Sequence, residues 1–231
     1  QSSFFTTGGL AAVHVEDRSK QGIWNGFKNK ETYATSGPQI LLWFDLITTS
    51  ETFPMGSKVN LEKNPVFEVK AVGSFKQKPG CPDFGLSAND NARLKKICGG
   101  ECFNPSNERR NITRIEVIKI TPQNYNDEPV DELIEDTWKV FDCKPSQDGC
   151  KIRFSDREFQ RNGRDSVYYV RAIEEPSLRV NGDNLRCEYD DQGNCIKVNI
   201  CHGSYLTDKE DDCVSLSEER AWSSPIYVNK I

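Results

Sequence analysis

Residues 113–120, TRIEVIKI, constrain the fold more than any other stretch of the chain. Alternate side chains of an extended backbone fall on opposite sides, so Ile115, Val117 and Lys119 share one face and Glu116, Ile118 and Ile120 the other. Both faces are partly apolar, the pattern of a strand central to its sheet. Further β-prone runs follow the same logic: 39–48, 66–72, 137–143 and 166–173 (SVYYVRAI), with 226–228 as a last strand. Asp45 within the first of these is either an edge charge or a paired inward one. Residues 187–200 read as a tight hairpin, 156–161 as a helical turn, and Pro54-Met55-Gly56 as a break. Residues 76–110, rich in Gly, Pro, Asn and Cys, read as a long loop tied by disulfides. Short strands separated by turn signals predict a mainly β fold, an antiparallel β-sandwich. There is no internal repeat.

The 231 residues suffice for one large β domain, or one domain plus a piece of another. The net charge of −5 is spread over mixed acidic and basic residues, without the basic face of a nucleic-acid binder. No apolar run approaches the ~18 residues of a membrane helix, and the longest candidate, 40–47, is interrupted by Asp45. No signal-peptide pattern precedes Gln1, so the expectation is a processed, trimmed or partly observed start.

Nine cysteines point to an oxidising compartment, extracellular or periplasmic. Cys143 and Cys150 flank KPSQDG, Cys187 and Cys195 flank EYDDQGN, and Cys201 and Cys213 flank an acidic loop. The first two inserts end in turn residues, so each pair can close a hairpin. Cys81, Cys98 and Cys102 remain, one thiol more than pairing needs. Zinc is the rival reading for Cys98 and Cys102, but no second compact ligand pair lies nearby and the chain has only two histidines. Asn111-Ile112-Thr113 is a glycosylation sequon, relevant to a eukaryotic secretory protein.

Only residues 8–46 read as strand, helix, turn, strand. Residues 10–15 are short and apolar, Asp17 or Ser19 can cap a helix, and Ile23, Trp24 and Phe27 form one apolar helical face. The helix should stop near Asn29 or Lys30, and Gly22 and Gly26 weaken it enough to make it depend on packing against a larger body. Apolar residues around Leu10, Ile23, Trp24 and Phe27 are left without obvious cover, which hints at a partner. This segment is similar to the end of an α/β barrel or sheet.

The motifs GGLAAV (8–13), ETYATSGP (31–38) and ERAWSSPI (219–226) together resemble the bacterial domain-of-unknown-function 3604 family. FPMG (53–56), RIEVIK (114–119) and YYVRA (168–172) fall in the same order as similar segments of that family. The family is similar to the PHP (polymerase and histidinol phosphatase) metal-dependent hydrolases. The resemblance implies a longer protein whose histidine- and aspartate-rich motifs bind divalent metal ions upstream of Gly8. An Asp-x-His motif is absent here. The chain then corresponds to the C-terminal portion: residues 1–38 a terminal strand–helix remnant of an α/β (TIM-like) barrel, and 39–231 a disulfide-containing β-sandwich. Departures from the family pattern are His14, the run Glu16-Asp17-Arg18-Ser19-Lys20, and Gln39 in place of an arginine.

His14 and Glu16 lie two apart at a strand end, so both could face a metal or substrate. A hydrogen-bonded structural pair is the plainer reading. Thr35, Ser36 and Gly37 could present hydroxyl and N–H groups to an oxyanion, though turn chemistry explains the same residues. Asp208, Glu210, Asp211 and Asp212 lack the spacing of a calcium loop and read as a solvated acidic loop, and Trp222, Pro225 and Tyr227 read as packing residues.

Two functions are therefore expected. One is the C-terminal portion of an exported PHP-like hydrolase of phosphoesters or related esters. Metal-bound hydroxide would do the chemistry there, with most metal ligands upstream, so that this chain alone holds no metal firmly and is inactive. Its partner is then the missing N-terminal barrel portion or another subunit. The other is a non-catalytic structural or protein-interaction β module derived from the same family.

Overall fold

A computed structural model describes residues 8–81, 103–202 and 206–231. The chain begins with β1 (Leu10–Val13), α1 (Lys20–Lys28), β2 (Thr32–Thr35), β3 (Leu41–Ile47), β4 (Thr52–Pro54), β5 (Lys58–Leu61) and β6 (Val66–Val72). Next come β7 (Phe75–Pro79), β8 (Phe103–Arg109), β9 (Ile112–Ile120), β10 (Ile134–Asp142), β11 (Cys150–Ser155), the short helix α2 (Phe159–Asn162) and β12 (Ser166–Glu174). It ends with β13 (Ser177–Val180), β14 (Cys187–Tyr189), β15 (Cys195–Val198), β16 (Val214–Ser217), β17 (Arg220–Ser223) and β18 (Ile226–Lys230).

Two sheets form an antiparallel β-sandwich. In the eight-stranded sheet β12 is central, with β9 and then β10 on one side. Its other side is shared end to end by β18 and β17. Beyond β17 lie β2 and β1, and beyond β18 lies β5, paired in parallel. The junction of β17 and β18 carries one extra residue, because Tyr168 opposes Ile226 while Arg171 opposes Trp222. Pro225 has no N–H to give to the ladder there, and the Val170 N–H finds its acceptor in the Ser223 hydroxyl at 3.0 Å.

The second sheet runs β11-β6-β3-β4. Its alternation is plain in β3, where Leu42, Phe44 and Leu46 are buried and Leu41, Trp43, Asp45 and Ile47 are half-buried on the outer face. Phe67 of β6 sits at the middle of the core, 5.4 Å from Phe44, 5.2 Å from Phe154 and 4.7 Å from Tyr168 of the facing sheet, ring centre to ring centre. Ile115 and Val117 of β9 point into this core and Lys119 goes with them, as the alternation of 113–120 requires.

Residues 76–110 depart from the loop reading at both ends. β7 and β8 pair antiparallel, with Pro79 opposite Phe103. Exposed strands such as these have no buried face, so no apolar alternation marks them in the sequence. Cys98 and Cys102, with the zinc reading attached to them, lie outside the described residues.

Three disulfides join the cysteines expected to pair: Cys143–Cys150, Cys187–Cys195 and Cys201–Cys213, with Cα–Cα separations of 5.7, 5.7 and 5.5 Å. Cys81 is also disulfide-bonded. The three pairs fit an oxidising compartment. Cys143–Cys150 spans the connection from β10 to β11 and so ties one sheet to the other. No described helix is long and apolar enough to cross a membrane.

Candidate functional site

The residues with chemical potential gather at the two ends of the β1–β2 pair. Those strands are antiparallel, with Leu10 opposite Thr35 and Val13 opposite Thr32. His14 and Glu16 follow one end of the pair, and Thr35 and Ser36 close the other. Four residues of strand separate them, about 13 Å. The fold therefore keeps His14 and Glu16 together but does not unite them with Thr35 and Ser36.

At the first end, Ser19 caps α1 by accepting the Gly22 N–H at 2.9 Å, and Asp17 accepts the Ser19 N–H at 2.7 Å. The helix rests on its own chain through glycine. A Cβ at Gly26 would lie 2.5 Å from Val13 Cγ2 and 2.7 Å from the His14 carbonyl oxygen, and one at Gly22 would lie 2.7 Å from the Asp17 carbonyl oxygen. Gly56, from the FPMG motif, backs the helix exit at Asn29 and Lys30 and has φ +89°. With the glycine side turned inward, the apolar side faces out. Ile23 is 38%, Trp24 64% and Phe27 50% exposed, and they line an open apolar groove with Lys20 and Gln21. Leu10 is exposed as well, and β1 is the last strand on its side of the sheet among the described residues.

His14 is held by its neighbours. Its backbone N–H donates to Glu31 at 2.8 Å, its Nε2 lies 2.8 Å from the Leu42 carbonyl oxygen, and its ring stands 5.4 Å from Tyr33 and 5.7 Å from Trp43. Glu16 is exposed on the rim of a polar depression of about 470 Å³ that also contains Asn25 and Glu31. A divalent-metal centre would need further ligands beside these two, one of which is turned to a backbone carbonyl. Among the described residues, the metal-type cluster is Cys201, Asp211 and Cys213, and both of its cysteines are in a disulfide. Nearby, burial pushes the Asp45 carboxyl up, an effect that His14 opposes and Glu68 reinforces.

At the second end, Ser36 joins two distant motifs. Its N–H donates to the Arg220 carbonyl at 2.9 Å, its Oγ accepts the Arg220 N–H at 2.9 Å, and the same hydroxyl donates to Glu219 Oε2. Glu219, 3% exposed, also holds Arg179 Nε at 3.0 Å. Thr35 Oγ1 accepts the Gly37 N–H at 3.3 Å. The TSGP and ERAWSSPI segments are thus one structural unit across β2 and β17, continued by Ser224, which donates its N–H to Thr32 at 2.9 Å.

Beside this unit lies a cavity of about 700 Å³ lined by Gly37, Pro38, Gln39, Ser74, Phe75 and Arg179. Behind Ser74 is Glu174, wholly buried, whose carboxylate accepts both the N–H and the hydroxyl of Ser74. Burial pushes the Glu174 carboxyl up, while the Ser74 hydrogen bonds and the Arg110 and Arg179 charges pull it down. Sequence reasoning missed Glu174, Arg179 and Ser74. Glu219 stood inside a recognised motif, and only its long-range partner was hidden.

The remaining candidates have local partners. Asn111 Nδ2 donates to Glu175 Oε2 at 2.7 Å, so the sequon nitrogen is engaged. Asp211 pairs with Arg186 at 2.6 Å, and Asp208 and Asp212 accept nearby backbone N–H groups.

No curated protein and no solved structure matches the chain. The family model described as "Protein of unknown function (DUF3604)" matches residues 1–77, the part that holds β1 to β6 and both ends of the β1–β2 pair, and so supports the DUF3604 family for this chain.

Proposed function

We propose that the chain is the C-terminal β-sandwich portion of an exported, PHP-like metal-dependent hydrolase of phosphoesters or related esters, and that it serves by docking on the body that carries the metal ligands. The observation behind this reading is α1, seated on glycine and turning Ile23, Trp24 and Phe27 outward beside β1, the end strand of its sheet among the described residues. A helix with its small residues in and its large apolar residues out has its cover elsewhere. The divalent ions belong to the hydrolase body, and no step of the chemistry is assigned to this chain.

The second reading, a non-catalytic interaction module derived from the family, is favoured by the structural engagement of Thr35 and Ser36 and by Gln39 where the family has arginine. Metal analysis and intact mass separate the two. A native protein longer than residues 1–231, carrying bound metal that the isolated chain lacks, supports the hydrolase reading. A metal-free native protein of this length supports the module. Stoichiometric metal on residues 1–231, lost in His14→Ala, overturns the assignment of metal binding to the body.

A further inference from the structure

Lys119 enters the sandwich core beside Ile115 and Val117, and its Nζ lies 2.7 Å from Asp156 Oδ2. The two side chains are 5% and 0% exposed. Tyr168 OH donates to the same Oδ2 at 2.7 Å, and the Glu158 N–H donates to Oδ1 at 2.9 Å. Trp138 lies 5.2 Å from Nζ, and Tyr168 is backed by Phe67, so aromatic rings wall the group. Opposite charges taken out of water lose their hydration, and proton transfer from ammonium to carboxylate relieves that loss. The amine and the carboxyl group are thus in direct contact and screened from bulk solvent.

We propose that Lys119 and Asp156 condense into an intramolecular side-chain amide. Lys119 Nζ attacks Asp156 Cγ, the Nζ–Cγ bond forms and the Cγ–Oδ2 bond breaks. Of the two protons lost by the ammonium, one reaches Oδ2 in the initial transfer. The second passes to Oδ2 through the Tyr168 hydroxyl, which ends unchanged, and one water leaves. No oxidant or other reactant is needed. Each neighbour has a part: the Glu158 N–H stabilises charge on Oδ1, the Tyr168 hydroxyl relays a proton to the leaving oxygen, and contact distance replaces an encounter in solution. Burial, and then the hydrogen bond to Asp156, push the Tyr168 phenol up, so the hydroxyl stays protonated as the donor to Oδ2. The bond would join β9 of the eight-stranded sheet to the turn after β11 of the four-stranded one, a second covalent tie between the sheets beside Cys143–Cys150.

Intact mass of the unfolded, disulfide-reduced chain tests this directly. The expected mass is that of the sequence less one water. Digestion should yield one branched species joining the peptide with Lys119 to the peptide with Asp156. Lys119→Arg should restore the full sequence mass, and Tyr168→Phe should slow the loss of water in freshly folded protein. A wild-type chain of full sequence mass that gives two separate peptides overturns the proposal. So does a loss of water that persists in Lys119→Arg, since it would arise at another site. The wild-type measurement stands whether or not the variants fold.

Discussion

Ser36 is small, yet it holds the Glu219 carboxylate and both backbone groups of Arg220 in place across a separation of more than 180 residues. Ser36→Ala would leave the Arg220 N–H without its acceptor and buried Glu219 with Arg179 alone. The expected loss is about 1–3 kcal/mol, read from the denaturant midpoint, and an unchanged midpoint would contradict this role. Glu174 makes a prediction with a definite sign. Burial raises its carboxyl above the ordinary value of 4.5, so just above that value the folded chain retains a proton that the unfolded chain releases. Stability from this group is present below that window and is lost as pH rises through it. Glu174→Gln removes the titration and keeps an acceptor for Ser74. Between acid and neutral pH, the melting temperature of the wild type should therefore fall relative to Glu174→Gln. Parallel curves would show that Glu174 titrates alike in the folded and unfolded chain.

At the scale of the element, α1 opposes helix propensity to packing. Alanine favours a helix over glycine by about 1 kcal/mol. At Gly26 the added Cβ meets backbone and Val13 within 2.7 Å, so the helix must lift from β1. Gly26→Ala should thus destabilise the chain, by about 1–3 kcal/mol, and a stabilised variant would show that the helix is not seated on this face. The outward face behaves differently. Trp24→Ser should change the stability of residues 1–231 by less than about 0.5 kcal/mol, because its side chain is mostly in solvent already. The β10–β11 connection depends on its disulfide. Replacing Cys143 and Cys150 by serine should cost about 2–3 kcal/mol in thermal or chemical unfolding, the loop-closure value for a ring this short.

For the whole molecule, the longer strands with a face in the core were mostly legible in the sequence because burial writes a period of two, whereas β5, β11 and β17, which bring Val59, Phe154 and Ala221 to the core, were not. β6 coincides with the expected span 66–72, β9 and β12 lie within a residue or two of theirs, and alternation alone put Lys119 on the same face as Ile115 and Val117. The three cysteine pairs were legible for a similar reason, since short inserts ending in turn residues bring their flanks together. Long-range polar partners were not. Nothing near Ser36 in the sequence announces Glu219, and nothing near Ser74 announces Glu174, because a hydrogen bond between side chains leaves no periodic trace. The same holds for the direction α1 faces: Ile23, Trp24 and Phe27 mark an apolar stripe, while only the close approach of Gly26 to Val13 fixes which side turns outward. Docking through that stripe is tested most directly by hydroxyl-radical footprinting of Trp24 in the protein from its native source, against isolated residues 1–231. Trp24 should be protected in the native protein and open to oxidation in the isolated chain. Equal and high reactivity in both would contradict a covered α1 face.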